Sequence, residues 1–149
     1  MGRPMQLRGR IKVDRKTKNL VKRLKTNEIA VIAHEDLDEV AALSLIKAKP
    51  RLVINVSNSM TGKYPNLGPL RLLEAGIPLI DQVDPDFLEL AADDQEIECK
   101  DEIIKIKNKT FSGVLLQKEE VIKKLKEIRE NYSDEVVKFV QNTLEYAAK

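Results

Sequence analysis

The residues best suited to chemistry stand together in "SNSMTGKYPNLGP", from Ser57 to Pro69. They follow an apolar run, "RLVINV", and precede a helix-like one, "LRLLEAGIP". Loops of this length inside compact domains are usually functional or disordered. A loop that leaves a parallel strand and enters a helix also lies where open α/β sheets bind ligands. Gly62 and Gly68 permit positive φ and close backbone approach, so successive N–H groups can converge on an anion. Ser57, Ser59, Thr61, Asn58 and Asn66 add neutral donors, and Lys63, beside Tyr64, adds a point charge. The start of the next helix adds a partial positive charge. Chemically this is a cradle for phosphate or carboxylate. It is not a P-loop, because Lys63 is followed by Tyr64 and no glycine stands at the spacing GxxxxGK[ST]. The competing reading is an ordered crossover whose Asn, Ser and Thr side chains satisfy its own backbone.

His34 follows a buried-looking strand and precedes Glu35, Asp36 and Asp38, so "HEDLD" suggests either a metal or acid/base site or a capped helix start. The chain holds no second histidine, and acids in a first helical turn are ordinary dipole chemistry. If His34 acts, the strand end places it beside the Ser57 to Pro69 loop. Cys99 is the single cysteine, which rules out an internal disulfide and leaves no zinc-type spacing. No Ser/His/Asp set, metal cluster or nucleophile elbow is visible, so catalysis within these residues is not expected and no cofactor is implied. A nucleotide or other phosphate-bearing small molecule is the candidate ligand.

Charge adds a second candidate surface. Residues 1–25 carry ten Lys or Arg against one acid, Asp14, whereas the whole chain nets +2. Arg15, Lys16, Lys18, Lys22 and Arg23 would line the exposed face of a short amphipathic helix built on Val13, Leu20, Val21 and Leu24. Such a face can meet an acidic protein, a membrane surface or nucleic acid. It lacks stacking aromatics, so a nucleic-acid partner is not expected. No run approaches the length of a membrane helix, and the first residues lack the apolar stretch of a signal peptide. A cytoplasmic location is the expectation.

The elements that position these residues follow from periodicity. "EIAVIAH" and "RLVINV" read as strands buried on both faces, flanking a helix over "DLDEVAALSLIKAK" that Asp36 can cap and Pro50 stops. "LGPLRLLEAG" is a helix with Pro69 in its first turn and Gly76 past its end. "IPLID" is a third strand, "DPDFLELAAD" a short helix or turn, and "QEIECKDEIIKIKNKTFSGVLL" alternates at period two as hairpins. Beyond Gln117, Val121, Leu125, Ile128, Tyr132, Val136, Val140 and Leu144 form one helical stripe. That helix suits packing, a connector or a dimerising coiled coil. It is expected to continue into a region beyond Lys149.

Four of these stretches, "VDRKTKNLVKRL", "EIAVIAHEDLDEVAA", "VINVSNSMTGKYPNLGP" and "LLEAGIPLID", together resemble the N-terminal region of SteA-like proteins. That bacterial family carries a following region similar to thiamin pyrophosphokinase and a C-terminus taken to be membrane-attached. The resemblance runs from about Gly9 to Lys149. It implies that kinase-type chemistry belongs to the following region, and that some members act in cell division. A more distant similarity, to the swivelling phosphohistidine domain of phosphoenolpyruvate-utilising enzymes, bears on the fold. The position matching that domain's reactive histidine, upstream of Gly76, is Leu67, so the phosphocarrier is not implied.

The expected fold is therefore an α/β swivelling β/β/α-type domain with a parallel βαβ core, antiparallel hairpin strands and a long C-terminal helix. Residues 1–25 form a basic arm or helix, 26–116 the swivelling-like domain, and 117–149 a connector helix. Two functions compete. In one, Ser57, Ser59, Thr61, Gly62, Lys63, Tyr64, Asn66, Gly68 and His34 bind or position a phosphate-bearing small molecule for the following region. In the other, the loop is structural and the basic and C-terminal helices dock a partner, a homodimer included.

Overall fold

The computed structural model describes residues 5–131. Among them the chain runs β1 (Gln6–Val13), α1 (Thr17–Leu20), β2 (Ile29–Ile32), α2 (Glu39–Ala48), β3 (Leu52–Asn55), α3 (Gly68–Glu74), β4 (Leu79–Asp81) and α4 (Asp86–Leu90). It continues through β5 (Glu96–Lys100), β6 (Ile103–Ile106), β7 (Lys109–Ser112) and β8 (Val114–Leu115) into α5 (Lys118–Glu130). The strands form one sheet in the order β7-β6-β5-β1-β2-β3-β4-β8. β1 to β4 run parallel to their neighbours, while β5, β6, β7 and β8 join antiparallel.

The burial pattern follows from strand periodicity, because alternate side chains face opposite sides of a sheet. Ile29, Val31, Leu52, Ile54 and Ile80 join Ile11, Ile97, Cys99, Ile104 and Ile106 in one buried cluster, which fills the concave side. Their neighbours Ala30, Ile32, Val53 and Leu79 face outward and pack under Leu20, Leu37, Ala42, Leu45 and Leu72. Strands buried on both faces must read as continuous apolar runs, as "IAVI" and "LVI" do. Each fully buried Leu or Ile in these clusters is worth about 1.5–3 kcal/mol relative to exposure. Phe87 of α4 enters the inner cluster and meets the Phe111 ring edge-on, with centroids 5.5 Å apart.

The open swivelling sandwich is corrected by two features. First, the segment read as a basic arm contains β1, which lies in the middle of the sheet. β1 pairs parallel with β2 and antiparallel with β5, so it fuses the parallel and antiparallel parts into one surface. Second, the two sheet edges meet. β7 ends at Ser112 and β8 begins at Val114, at opposite ends of the strand order. Only Gly113 separates them, so the sheet must curl until its edges adjoin. The result is a nearly closed eight-stranded barrel with α1, α2 and α3 outside it and α4 packed against its inner cluster. A Cβ on Gly113 would stand 2.5 Å from the Asp81 carbonyl oxygen, so this corner requires glycine.

Smaller corrections concern the helices. The basic helix is only α1, four residues long. The cap of α2 is Asp38, whose side chain accepts from the Ala41 N–H, and not Asp36. α2 ends with Lys49 in the left-handed region, just before Pro50. α5 buries Val121 and Ile128 against Met60 of the loop. Tyr132, Val136, Val140 and Leu144 lie outside the described residues. No helix among the described residues is long and apolar enough to cross a membrane.

Candidate functional site

The parallel strands end together, and their last residues build the floor beneath the Ser57 to Pro69 loop. β3 ends at Asn55, which is 0% exposed. Its Oδ1 accepts from the backbone N–H groups of His34 and Ser57, both at 3.0 Å, and its Nδ2 donates to the His34 carbonyl at 2.9 Å and to Ser59 Oγ at 2.7 Å. That satisfies the amide fully. β4 ends at Asp81. The Ser59 N–H and Oγ donate to Asp81 Oδ1 at 3.0 and 2.7 Å. Burial pushes the Asp81 carboxyl above the usual carboxylate range, and the hydrogen bonds from Ser59 and Gln82 oppose that shift.

The rest of the loop is tied in the same way. Thr61 donates from its N–H at 2.8 Å and from its hydroxyl at 2.9 Å to Asp36, which holds a positive φ of 52°. The Asp36 N–H in turn donates to the Asn58 carbonyl at 2.9 Å. Asn66 is buried, donates to the Ser59 carbonyl at 2.7 Å, and accepts from the Gly68 N–H at 3.2 Å. Gly68 is needed for packing, since a Cβ there would collide with the backbone carbonyl of Leu37. Gly62, at φ 97°, faces open space. Lys124 of α5 donates to the Met60 carbonyl at 2.6 Å and fastens the loop from above.

The surroundings of the loop are acidic. Lys63 is exposed, and its Nζ lies 3.9 Å from Glu35. Tyr64 is half-buried, and its phenol is pushed up first by burial and then by the charges of Asp36, Asp38 and Glu35. An anion here would meet three carboxylates and one lysine that already faces one of them. Among the described residues no buried side-chain polar atom lacks a partner, and no three metal-ligating side chains cluster.

His34 does stand beside this loop. Its Nδ1 shares a hydrogen bond of 2.9 Å with the Thr17 hydroxyl, and its Nε2 is 4.0 Å from Asp38 Oδ2. A hydroxyl, an imidazole and a carboxylate therefore stand in a row. Thr17 is only 4% exposed, so no substrate reaches its oxygen, and 4.0 Å is too long for a hydrogen bond. The row is a packed turn rather than a nucleophile.

The basic candidates divide. Arg15, Lys16, Lys18 and Lys22 are exposed. Arg23 is an internal tie: it binds Asp14 at 3.0 Å, Asp93 at 2.8 Å and the Val13 carbonyl. Cys99 is buried, and burial alone raises its thiol to about 12, which makes it inert at neutral pH. Sequence reasoning missed Asn55 and Asp81 as organisers of the loop. The signal was present, since each is a polar residue ending a buried apolar strand. No family model matches the chain, and neither a curated protein nor a solved structure is similar to it.

Proposed function

We propose that this chain is a non-catalytic assembly module, the N-terminal part of a SteA-like protein, in which the Ser57 to Pro69 loop is a structural crossover. One observation carries the reading: Ser59, Thr61 and Asn66, the donors an anion would need, are already held by Asp81, Asp36 and the loop's own backbone. Withdrawing a buried donor from such a partner costs about 1–3 kcal/mol, which a ligand would have to exceed before binding at all. The exposed cations Arg15, Lys16, Lys18 and Lys22 and the outer face of α5 are then surfaces on which an acidic partner or a second copy would dock.

Sedimentation velocity over a wide concentration range tests this directly. Self-association, or capture of an acidic partner that Lys18→Glu with Lys22→Glu abolishes, is the expected result. A chain that stays monomeric and alone overturns it. So does a thermal shift with any phosphate ester that disappears in Lys63→Ala, because that result would return the loop to ligand binding.

A further inference from the structure

Among the described residues the helices cover only part of the barrel. α1, α2 and α3 pack over β2, β3 and β4, whereas none of the described helices packs extensively on the outer face of β1, β5 and β6. At the N-terminal end of β1 that bare face is concave, with a cavity of about 700 Å³. This lies within the range of small-molecule sites. Its walls carry Arg8 from β1, Lys100 from β5, Lys105 from β6 and Arg51 from the turn before β3.

Period two is what gathers them. Gln6, Arg8 and Arg10 alternate outward on β1, as do Glu98 and Lys100 on β5 and Ile103 and Lys105 on β6. Register aligns Arg8 with Glu98, and Glu98 with Lys105. The acids nearby are Glu98, which pairs with Arg8, and Glu96, 3.4 Å from the same guanidinium. Among the described residues Arg51, Lys100 and Lys105 have no carboxylate partner. Arg51 is nonetheless positioned, because its Nη1 donates to the Arg8 carbonyl at 3.2 Å. Ile103 is 39% exposed at this rim, a large apolar side chain among cations.

We infer that this groove binds a phosphate-bearing small molecule, with Arg51, Lys100 and Lys105 on the phosphate and Ile103 against the organic part. A planar guanidinium fork with two flexible ammonium groups is the donor set that suits a phosphate's several oxygens. A concave site of this size admits a compact ester and not a folded protein. The groove and the loop are at opposite ends of the barrel, so the inference stands apart from the assembly reading.

The test is titration of isotope-labelled protein with ATP, pyrophosphate and inorganic phosphate, following amide and methyl signals. Saturable shifts confined to residues 6–8, 51 and 98–105 are expected. Arg51→Ala with Lys105→Ala should weaken binding about tenfold or more, the loss of at least one charge-assisted contact. Both side chains are exposed, so the double variant should melt like the parent. Lys18→Ala with Lys22→Ala should leave affinity unchanged. A shift of Ile103 methyls with ATP but not with pyrophosphate would support the contact with an organic part. Linear, unsaturated shifts overturn the proposal, as does equal loss in the two double variants. Tighter binding of a single-stranded oligonucleotide or an acidic peptide than of any phosphate probe also overturns it, by making the groove part of a macromolecular surface.

Discussion

At the C-terminal end of the parallel strands the polar side chains hold one another; at the N-terminal end three cations, Arg51, Lys100 and Lys105, have no carboxylate partner among the described residues. The first end looks like a site in sequence, with its serines, asparagines, glycines and lysine. In three dimensions Asn55, Ser59, Asn66 and Asp81 are buried and tied into one another and the loop backbone, the one lysine faces Glu35, and Asp36, Asp38 and Glu35 act on the neighbouring Tyr64. The second end has no such signature in sequence: only Arg8 comes from the stretch read as a basic arm, and its other cations are scattered along the chain. Its Arg51, Lys100 and Lys105 face an open groove. Polar residue types do not distinguish a binding site from a stiff turn. What distinguishes them is whether each donor already has an acceptor within the fold.

The sharpest way to break this contrast is at its glycines. Gly68→Ala should cost about 3 kcal/mol or prevent folding, since the new methyl meets backbone and not a movable side chain. Gly62→Ala, strained only by its φ, should cost about 1–2 kcal/mol in urea unfolding. Comparable losses at both positions would mean that the loop has room it is not supposed to have. Next in size is Asp81→Ala, which leaves the Ser59 N–H and hydroxyl buried without their acceptor. A loss of about 2–3 kcal/mol is expected, and a near-neutral result would show that this end is less tightly closed than the hydrogen bonds indicate.

Acid titration separates two kinds of aspartate. Asp93 is held below the usual range chiefly by Arg23, and Asp14 chiefly by the Lys16 N–H and then by Arg23. Their stabilisation is present above the ordinary aspartate value, about 4, and is lost as pH falls through their lower folded values. Asp81 is raised by burial, so its contribution has the opposite sign. It is fully present below the ordinary value and is lost as pH rises through the folded one. Arg23→Ala should therefore flatten the loss of melting temperature below pH 4, and Asp81→Asn should remove a slope that lies above it. The smallest effect belongs to Lys63→Ala. Its ion pair with Glu35 is exposed, and the change in stability should stay under about 1 kcal/mol.

Much of the helical and parallel part was legible. "IAVI" and "LVIN" could be little else than doubly buried strands, and Pro69 with Gly76 bracketed α3. β1 was not legible, because the residues it turns outward are Arg8 and Arg10, and its inward position at Gly9 carries no apolar side chain. Ile29 of β2 packs closely over this position; a Cβ on Gly9 would lie 3.2 Å from the isoleucine's terminal carbon. Closure of the barrel was not legible either, since it depends on curvature accumulated over eight strands and is expressed at one residue, Gly113. The candidate loop was located correctly in sequence. Its true partners, Asp36 and Asp81, stand 25 and 22 positions away from the residues they hold, and only the folded sheet brings them in.

The central place of β1 also sets a timetable for synthesis. Its parallel partner follows soon after it, but its antiparallel partner does not, because Gln6 pairs with Lys100. While a ribosome makes the intervening chain, the β5-facing edge of β1 has no neighbour, and an unpaired edge is a template for wrong pairings. Arg8 and Arg10 keep that edge charged during the wait. Contacts so distant along the chain also slow folding, so the barrel should close late, after β5 has emerged and joined the strand that was made first.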